Sequence, residues 1–130
     1  TLWVQAGETR LRQVLGNLLA NALDALSEVP QPRRLWLSAE LTAEGVDLHL
    51  RDNGPGFSQE ALQRAREPFF TTKTSAQGLG LGLAICDTLM RALGGELLLA
   101  NHPDGGAQLT LRLRAADQGI KTQSPEDFVV

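Results

Sequence analysis

With 130 residues, 42% of them hydrophobic, the chain has the length of one compact domain that buries roughly two thirds of its unfolded surface. Lys and Arg total 12 against 15 Asp and Glu, a net charge of −3, which excludes the basic footprint of a nucleic-acid binder and favours a small molecule or a protein as partner. The single cysteine, Cys86, excludes an internal disulfide framework, and no apolar run approaches the ~20 residues of a membrane span.

The start shows no basic stretch followed by an apolar one, so no signal peptide is expected, and the compartment reads as reducing cytosol. Thr1 in place of a methionine suggests a piece of a longer protein, with any membrane or sensory part elsewhere.

Leu2-Trp3-Val4-Gln5 is a short β-prone run, broken by Gly7 before a long helix that starts near Glu8. On a helical wheel Leu11, Val14, Leu15, Leu18, Ala22, Ala25 and Leu26 share one broad face, the core stripe. Asn17, Asn21 and Asp24 stack along its flank at spacings of four and three residues. Asparagine is a mediocre helix former, so this row is either a solvated stripe or part of a site. Ser27 to Pro32, with two prolines, ends the helix.

Arg34 to Leu41 alternates apolar and polar residues, Ala43-Glu44-Gly45 turns, and Val46 to Arg51 returns, which predicts an antiparallel hairpin. Asn53-Gly54-Pro55-Gly56 then abandons regular structure and leaves Asp52 where strand becomes loop. An acid there serves either as a turn cap or as the anchor of a site. Ser58 is the expected N-cap of a short helix running to about Glu67, where Pro68 stops it.

From Pro68 to Gly78 the periodicity fails, and the segment reads as a mobile loop with two aromatics, four hydroxyls and Lys73. The glycines 78, 80 and 82 lead into a helix with Leu79, Leu83, Cys86, Met90 and Leu93 inward, closed by Gly94-Gly95. Cys86 is thereby placed in the core. Glu96 to Asn101 and Ala107 to Arg114 read as two further strands around the turn His102 to Gly106, and residues 115–130 as a polar tail.

Glycines ahead of a helix offer unpaired N–H groups and the positive end of the helix dipole to phosphate. A Rossmann site would place them directly after a strand, and a P-loop would need Lys and Ser or Thr after Gly82, where Leu83 stands. What remains is a carboxylate at a strand end, two asparagines on a helix flank, a lysine in a loop and glycines over a helix start. Together these answer a nucleoside triphosphate: a carboxylate for the adenine amine, an amide oxygen for Mg²⁺, and N–H groups with a cation for the phosphates.

Four stretches resemble, in order, the successive boxes of the catalytic ATP-binding domain of bacterial sensor histidine kinases. They are Asn17-Leu18-Leu19-Ala20-Asn21-Ala22, Asp52-Asn53-Gly54-Pro55-Gly56, Glu67-Pro68-Phe69-Phe70-Thr71-Thr72-Lys73 and Gly78-Leu79-Gly80-Leu81-Gly82. Thr71-Thr72-Lys73, Asp24-Ala25 and Asn101-His102-Pro103 bring the pattern nearest to the nitrogen-regulatory and C4-dicarboxylate-sensing kinases.

The resemblance implies an α+β fold over residues 1–114, a two-layer sandwich of a mixed, mostly antiparallel sheet against three helices. It further implies that Asp52 accepts from the adenine amine, with Gly54 and Gly56 shaping the floor beneath the base. Asn21 would ligate Mg²⁺, with Asn17 beside it and Lys73 reaching the phosphates. Asp24, Phe69, Thr72, Leu79 and Leu81 would complete the nucleotide site with Gly78, Gly80 and Gly82, and Thr110 would reach the adenine pocket. The implied activity is transfer of the γ-phosphoryl group of Mg-ATP to a histidine on a separate dimerisation domain of the same parent. A response regulator would follow, with no nucleic acid and no direct membrane contact. His49, in a strand, and His102, in a turn, lack the helical His-Glu setting of such an acceptor. The alternatives are a gyrase-like hydrolase, in which the position of Asn17 would carry a glutamate base, and an ATP-responsive binding module.

Overall fold

The computed structural model describes residues 4, 7–30, 32–68 and 82–116. Its elements follow the order α1 (Glu8–Ser27), β1 (Leu35–Leu41), β2 (Gly45–Asp52), α2 (Gln59–Arg64), α3 (Gly82–Ala92), β3 (Glu96–Asn101) and β4 (Ala107–Arg114). The four strands form one sheet in the order β1-β2-β4-β3, and among the described residues every pairing is antiparallel. Of the predicted strand at Leu2 to Gln5, only Val4 is described, in an antiparallel bridge to Ala115. The remainder, like the segment 69–81 and the tail from 117, lies outside the described residues.

The period of α1 decides how it packs. Leu11, Val14, Leu18, Ala22 and Leu26 are buried, while Leu15 and Ala25 at the edges of the stripe are half-buried. Leu11, Val14 and Leu18 share a core cluster with Leu50 from β2, Cys86, Met90 and Leu93 from α3 and its exit, Leu97 from β3, and Leu109, Leu111 and Leu113 from β4. The period-2 alternation of the strands sends these leucines to the helix side and the polar residues to the open face. There His49 meets Thr110 at 2.8 Å and Glu40 at 3.2 Å, and Arg112 donates to both oxygens of the buried Asp47 at 3.1 and 3.2 Å. The Asp47 hydrogen bonds hold the Arg112 guanidinium more firmly charged than usual.

Two boundaries depart from expectation. Gly45 belongs to β2 rather than to the turn: a Cβ there would strike the backbone of Leu113 and Ala115, so a glycine lets the hairpin run against β4. Ser58 caps α2 as predicted, accepting from the Ala61 N–H at 3.1 Å, but the helix ends at Arg64. The chain tightens where the Glu67 N–H bonds the Arg64 carbonyl, and Arg66 turns to donate to the Leu97 carbonyl at 2.7 Å. At the other end of the sheet α3 stops as its glycines dictate. Gly94 takes φ 76°, and the Gly95 N–H reaches back to the Met90 carbonyl at 2.9 Å.

Candidate nucleotide site

The site is built around the end of β2. Asp52 is 3% exposed, and its Oδ1 accepts from the Gly54 N–H at 2.8 Å and the Ala107 N–H at 3.3 Å. The turn-capping role therefore exists, but it occupies one oxygen. Among the described residues Oδ2 has no hydrogen-bond partner, and no buried side-chain oxygen is left unsatisfied, so Oδ2 is not sealed in. A carboxylate held this way is oriented before any ligand arrives, its ordering cost met by the fold.

Close backbone approaches fix the surroundings. A Cβ at Gly106 would collide with the Asp52 carbonyl oxygen, and one at Gly54 would lie 2.9 Å from Asp52 Oδ1 and 3.2 Å from the Ala25 Cβ. Gly54 is thus wedged between the carboxylate and α1, which explains the small residue at 25. Gly56 adopts φ 80° against Asn101. Asn101 is the clamp of this loop, accepting the Phe57 N–H at 2.7 Å and donating to the Phe57 carbonyl at 2.8 Å. Asn53 faces elsewhere: it accepts from the Arg34 N–H at 2.7 Å and donates to the Pro32 carbonyl at 2.8 Å, tying the loop to the approach of β1.

The flank of α1 supplies the other wall. Asn21 faces the first residue of α3, since a Cβ on Gly82 would sit 3.6 and 3.7 Å from its amide atoms. Asp24 is half-buried one position before Ala25, the residue against Gly54. The Cys86 thiol donates to the Val14 carbonyl at 3.6 Å. Burial pushes that thiol up to about 11, with the Asn17 side chain acting against the rise. As expected, Cys86 is a core residue.

One helix, α1, thus meets both the loop after β2, where Ala25 stands against Gly54 and Gly54 against Asp52, and the start of α3, where Asn21 stands against Gly82, with Asn17 one turn before Asn21. Thr110 is a correction. It is one strand position out of phase with Ala107 and Leu109, so it points to the open face and bonds His49, away from Asp52. The β4 residue that meets Asp52 is Ala107, through its N–H. Phe69, Thr72, Lys73, Gly78, Leu79, Gly80 and Leu81 lie outside the described residues. Asn101 enters from the sequence only through the Asn101-His102-Pro103 match, and Gly106 and Ala107 carry no expected site role there. Their signal was two adjacent glycines between predicted strands, more than a short turn needs.

Among the described residues no three His, Cys, Asp or Glu side chains converge on a metal position. A single amide oxygen from Asn21 fits a Mg²⁺ that keeps most of its coordination in water and phosphate, and does not fit a cation held entirely by protein.

Residues 6–117 match the family described as histidine kinase-, DNA gyrase B- and HSP90-like ATPase. The chain is 64% identical over 126 residues to the C4-dicarboxylate transport sensor protein DctB of Pseudomonas aeruginosa, covering 97% of this chain and 21% of that protein. It thus spans about a fifth of that relative's length. The catalytic domain of histidine kinase ThkA superposes with a TM-score of 0.71 at 32% identity, covering 84% of this chain and 68% of that one. Full-length ShkA in complex with AMPPNP superposes with a TM-score of 0.65 at 30% identity, covering 86% and 23%. The chain belongs to the histidine kinase-, DNA gyrase B- and HSP90-like ATPase family and is the ATP-binding catalytic domain of a two-component sensor histidine kinase.

Proposed function

We propose that the adenine of Mg-ATP docks against Asp52 Oδ2, that its phosphates lie beside Asn21 at the start of α3, and that the γ-phosphoryl group passes to a histidine elsewhere in the parent sensor. The observation that carries this reading is the buried Asp52 carboxylate, whose Oδ1 is committed to two backbone amides while Oδ2 lacks a partner among the described residues. An ionised carboxylate that can only accept selects a base presenting an amine and rejects one presenting a carbonyl. The N–H groups at the head of α3 and the positive end of its dipole suit the phosphates. Mg²⁺, held through the Asn21 oxygen, would supply charge neutralisation at the phosphates.

The chain itself contributes orientation and no acceptor. His49 is enclosed between Thr110 and Glu40 on a strand, and His102 takes part in the turn before β4, its Nδ1 accepting from the Asp104 N–H at 3.0 Å. A hydrolase would need a base beside the metal position. The residue one turn before Asn21 is Asn17, an amide, which cannot take a proton from water. Transfer to an external imidazole is therefore favoured over hydrolysis. In that step the γ-phosphorus separates from ADP and bonds to a ring nitrogen.

The parent in this proposal is a C4-dicarboxylate-responsive, membrane-anchored sensor with this domain on the cytoplasmic side. Its dimerisation domain carries the histidine, and a response regulator receives the phosphoryl group. Labelled ATP, this chain and a separately supplied histidine-bearing dimerisation domain test it. Label appearing on that domain, and lost with Asn21→Ala, supports kinase action. Phosphate release without labelling would support a hydrolase, and binding with neither would leave a nucleotide-responsive module.

A further inference from the structure

We propose that Asn53 is a positioning residue for base recognition, acting through Asp52 by tying the loop after β2 to the chain that leads from α1 into β1. The inference rests on the reading of Asp52 as the residue that meets adenine. Oδ2 can select a base only while it keeps one direction, and a carboxylate turns about its bond to Cβ. What fixes that turn is Oδ1, which accepts from the Gly54 N–H at 2.8 Å and, at the longer distance of 3.3 Å, from the Ala107 N–H. Ala107 is the first residue of β4 and is held by the sheet. Gly54, the nearer anchor, stands in an irregular loop and is only as steady as its neighbours.

Asn53 is the neighbour that steadies it. Its backbone N–H donates to the Arg34 carbonyl at 3.2 Å, its Oδ1 accepts from the Arg34 N–H at 2.7 Å, and its Nδ2 donates to the Pro32 carbonyl at 2.8 Å. Both ends of the amide are used, on residues two apart in the chain, which fixes direction as well as distance. The stretch it grips is braced on α1 in turn. Arg33 donates to the Val29 carbonyl at 2.9 Å and to the Ser27 carbonyl at 3.5 Å, at and just past the end of that helix.

α1 closes the ring. A Cβ on Gly54 would lie 3.2 Å from the Ala25 Cβ and 3.3 Å from the Ala25 carbonyl oxygen, so Gly54 sits between the Asp52 carboxylate and α1. The register of β1 on β2 ends at the pair Leu35 and Asp52, and beyond it the Asn53 bonds take over from the strand ladder. Cutting them leaves Gly54 free to shift away from Asp52, and Oδ2 loses the direction that the fold gave it before any ligand arrived. Selectivity falls first, because only the base edge depends on that direction.

Calorimetric titration of the intact chain and of Asn53→Ala with ATP and with GTP, each with magnesium, tests the inference, together with amide hydrogen exchange in the absence of nucleotide. The expected result is a ratio of ATP to GTP affinity about three- to tenfold lower in Asn53→Ala, half the free energy of a preference of about 10- to 100-fold, with GTP affinity nearly unchanged. The Gly54 amide should exchange at least several-fold faster, beyond any change at Leu109 and Leu111 in β4. Asn53→Asp keeps the acceptor for the Arg34 N–H but sets an oxygen against the Pro32 carbonyl. It should shift ratio and exchange in the same direction, and it decides the matter if the alanine variant does not fold. A role in stability alone would leave the ratio where it was, and an unchanged ratio in a folded variant would overturn the inference. So would a lower ratio with Gly54 exchange unchanged. Equal ATP and GTP affinities in the unmodified chain would instead sink the reading of Asp52, and Gly54 exchange alone would then decide whether Asn53 holds the carboxylate.

Discussion

Replacing Asn101 by alanine removes the clamp on the loop that carries Gly54 and Gly56. Its side chain makes two hydrogen bonds to Phe57 across 44 residues of sequence, at 2.7 and 2.8 Å. A net contribution of about 0.5–1.5 kcal/mol for each gives an expected loss of roughly 1–3 kcal/mol in stability. Both bonds are open to solvent, so the lower half of that range is the better expectation. The effect on binding follows from the same geometry, because Phe57 is one residue beyond Gly56. Released at that point, the loop must be reordered by the nucleotide at about 1–2 kcal/mol per residue fixed. Nucleotide affinity should then fall about tenfold for a residue that touches no ligand. Urea unfolding and calorimetric titration with ATP measure the two quantities. Asn101→Asp keeps the acceptor and loses the donor, so it should fall between the two. Unchanged stability together with unchanged affinity in Asn101→Ala would refute the clamp.

Gly54→Ala should lose stability by about 1–3 kcal/mol in the same unfolding assay, because its Cβ would press on Asp52 Oδ1 at 2.9 Å and on Ala25 at 3.2 Å. Asn21→Ala is expected to abolish the magnesium dependence of ATP affinity and the labelling of a supplied histidine domain. The Cys86 thiol sits at about 11 in the fold against an ordinary 9.0. The folded chain therefore keeps a proton that the unfolded chain releases, and stability is whole below pH 9 and falls by roughly 2–3 kcal/mol as pH rises to about 11. Cys86→Ala should remove that slope from unfolding measured across the range.

Strand boundaries were readable because alternation is a two-residue code. β3 and β4 fall where the pattern put them, and β2 runs one residue past the expected Arg51, to Asp52. The asparagine row on α1 was readable for the same reason, since spacings of four and three fix one flank. What escaped was set by contacts distant in sequence. Asn101 acts on Phe57, and Gly106 passes over the Asp52 carbonyl, and no local pattern announces either meeting. Thr110 failed by a single position in register: in a strand one step moves a side chain to the opposite face. The end of α2 was misjudged because Arg66, a good helix former, finds a better partner in the Leu97 carbonyl. Asp52 is the turn cap its position suggested, through Oδ1, while Oδ2 is left without a hydrogen-bond partner among the described residues.

That second oxygen is best tested without mutation, because Asp52→Ala would also strand the Gly54 and Ala107 amides and mix loss of fold with loss of ligand. The most direct measurement is calorimetric titration of the intact chain with ATP and with GTP, each with magnesium. The phosphates and the sugar are common to both, and only the base edge facing Asp52 differs. A charge-assisted hydrogen bond worth ~1.5–3 kcal/mol predicts ATP binding about 10- to 100-fold more tightly. Equal affinities would contradict the assignment of Asp52 as the residue that reads adenine.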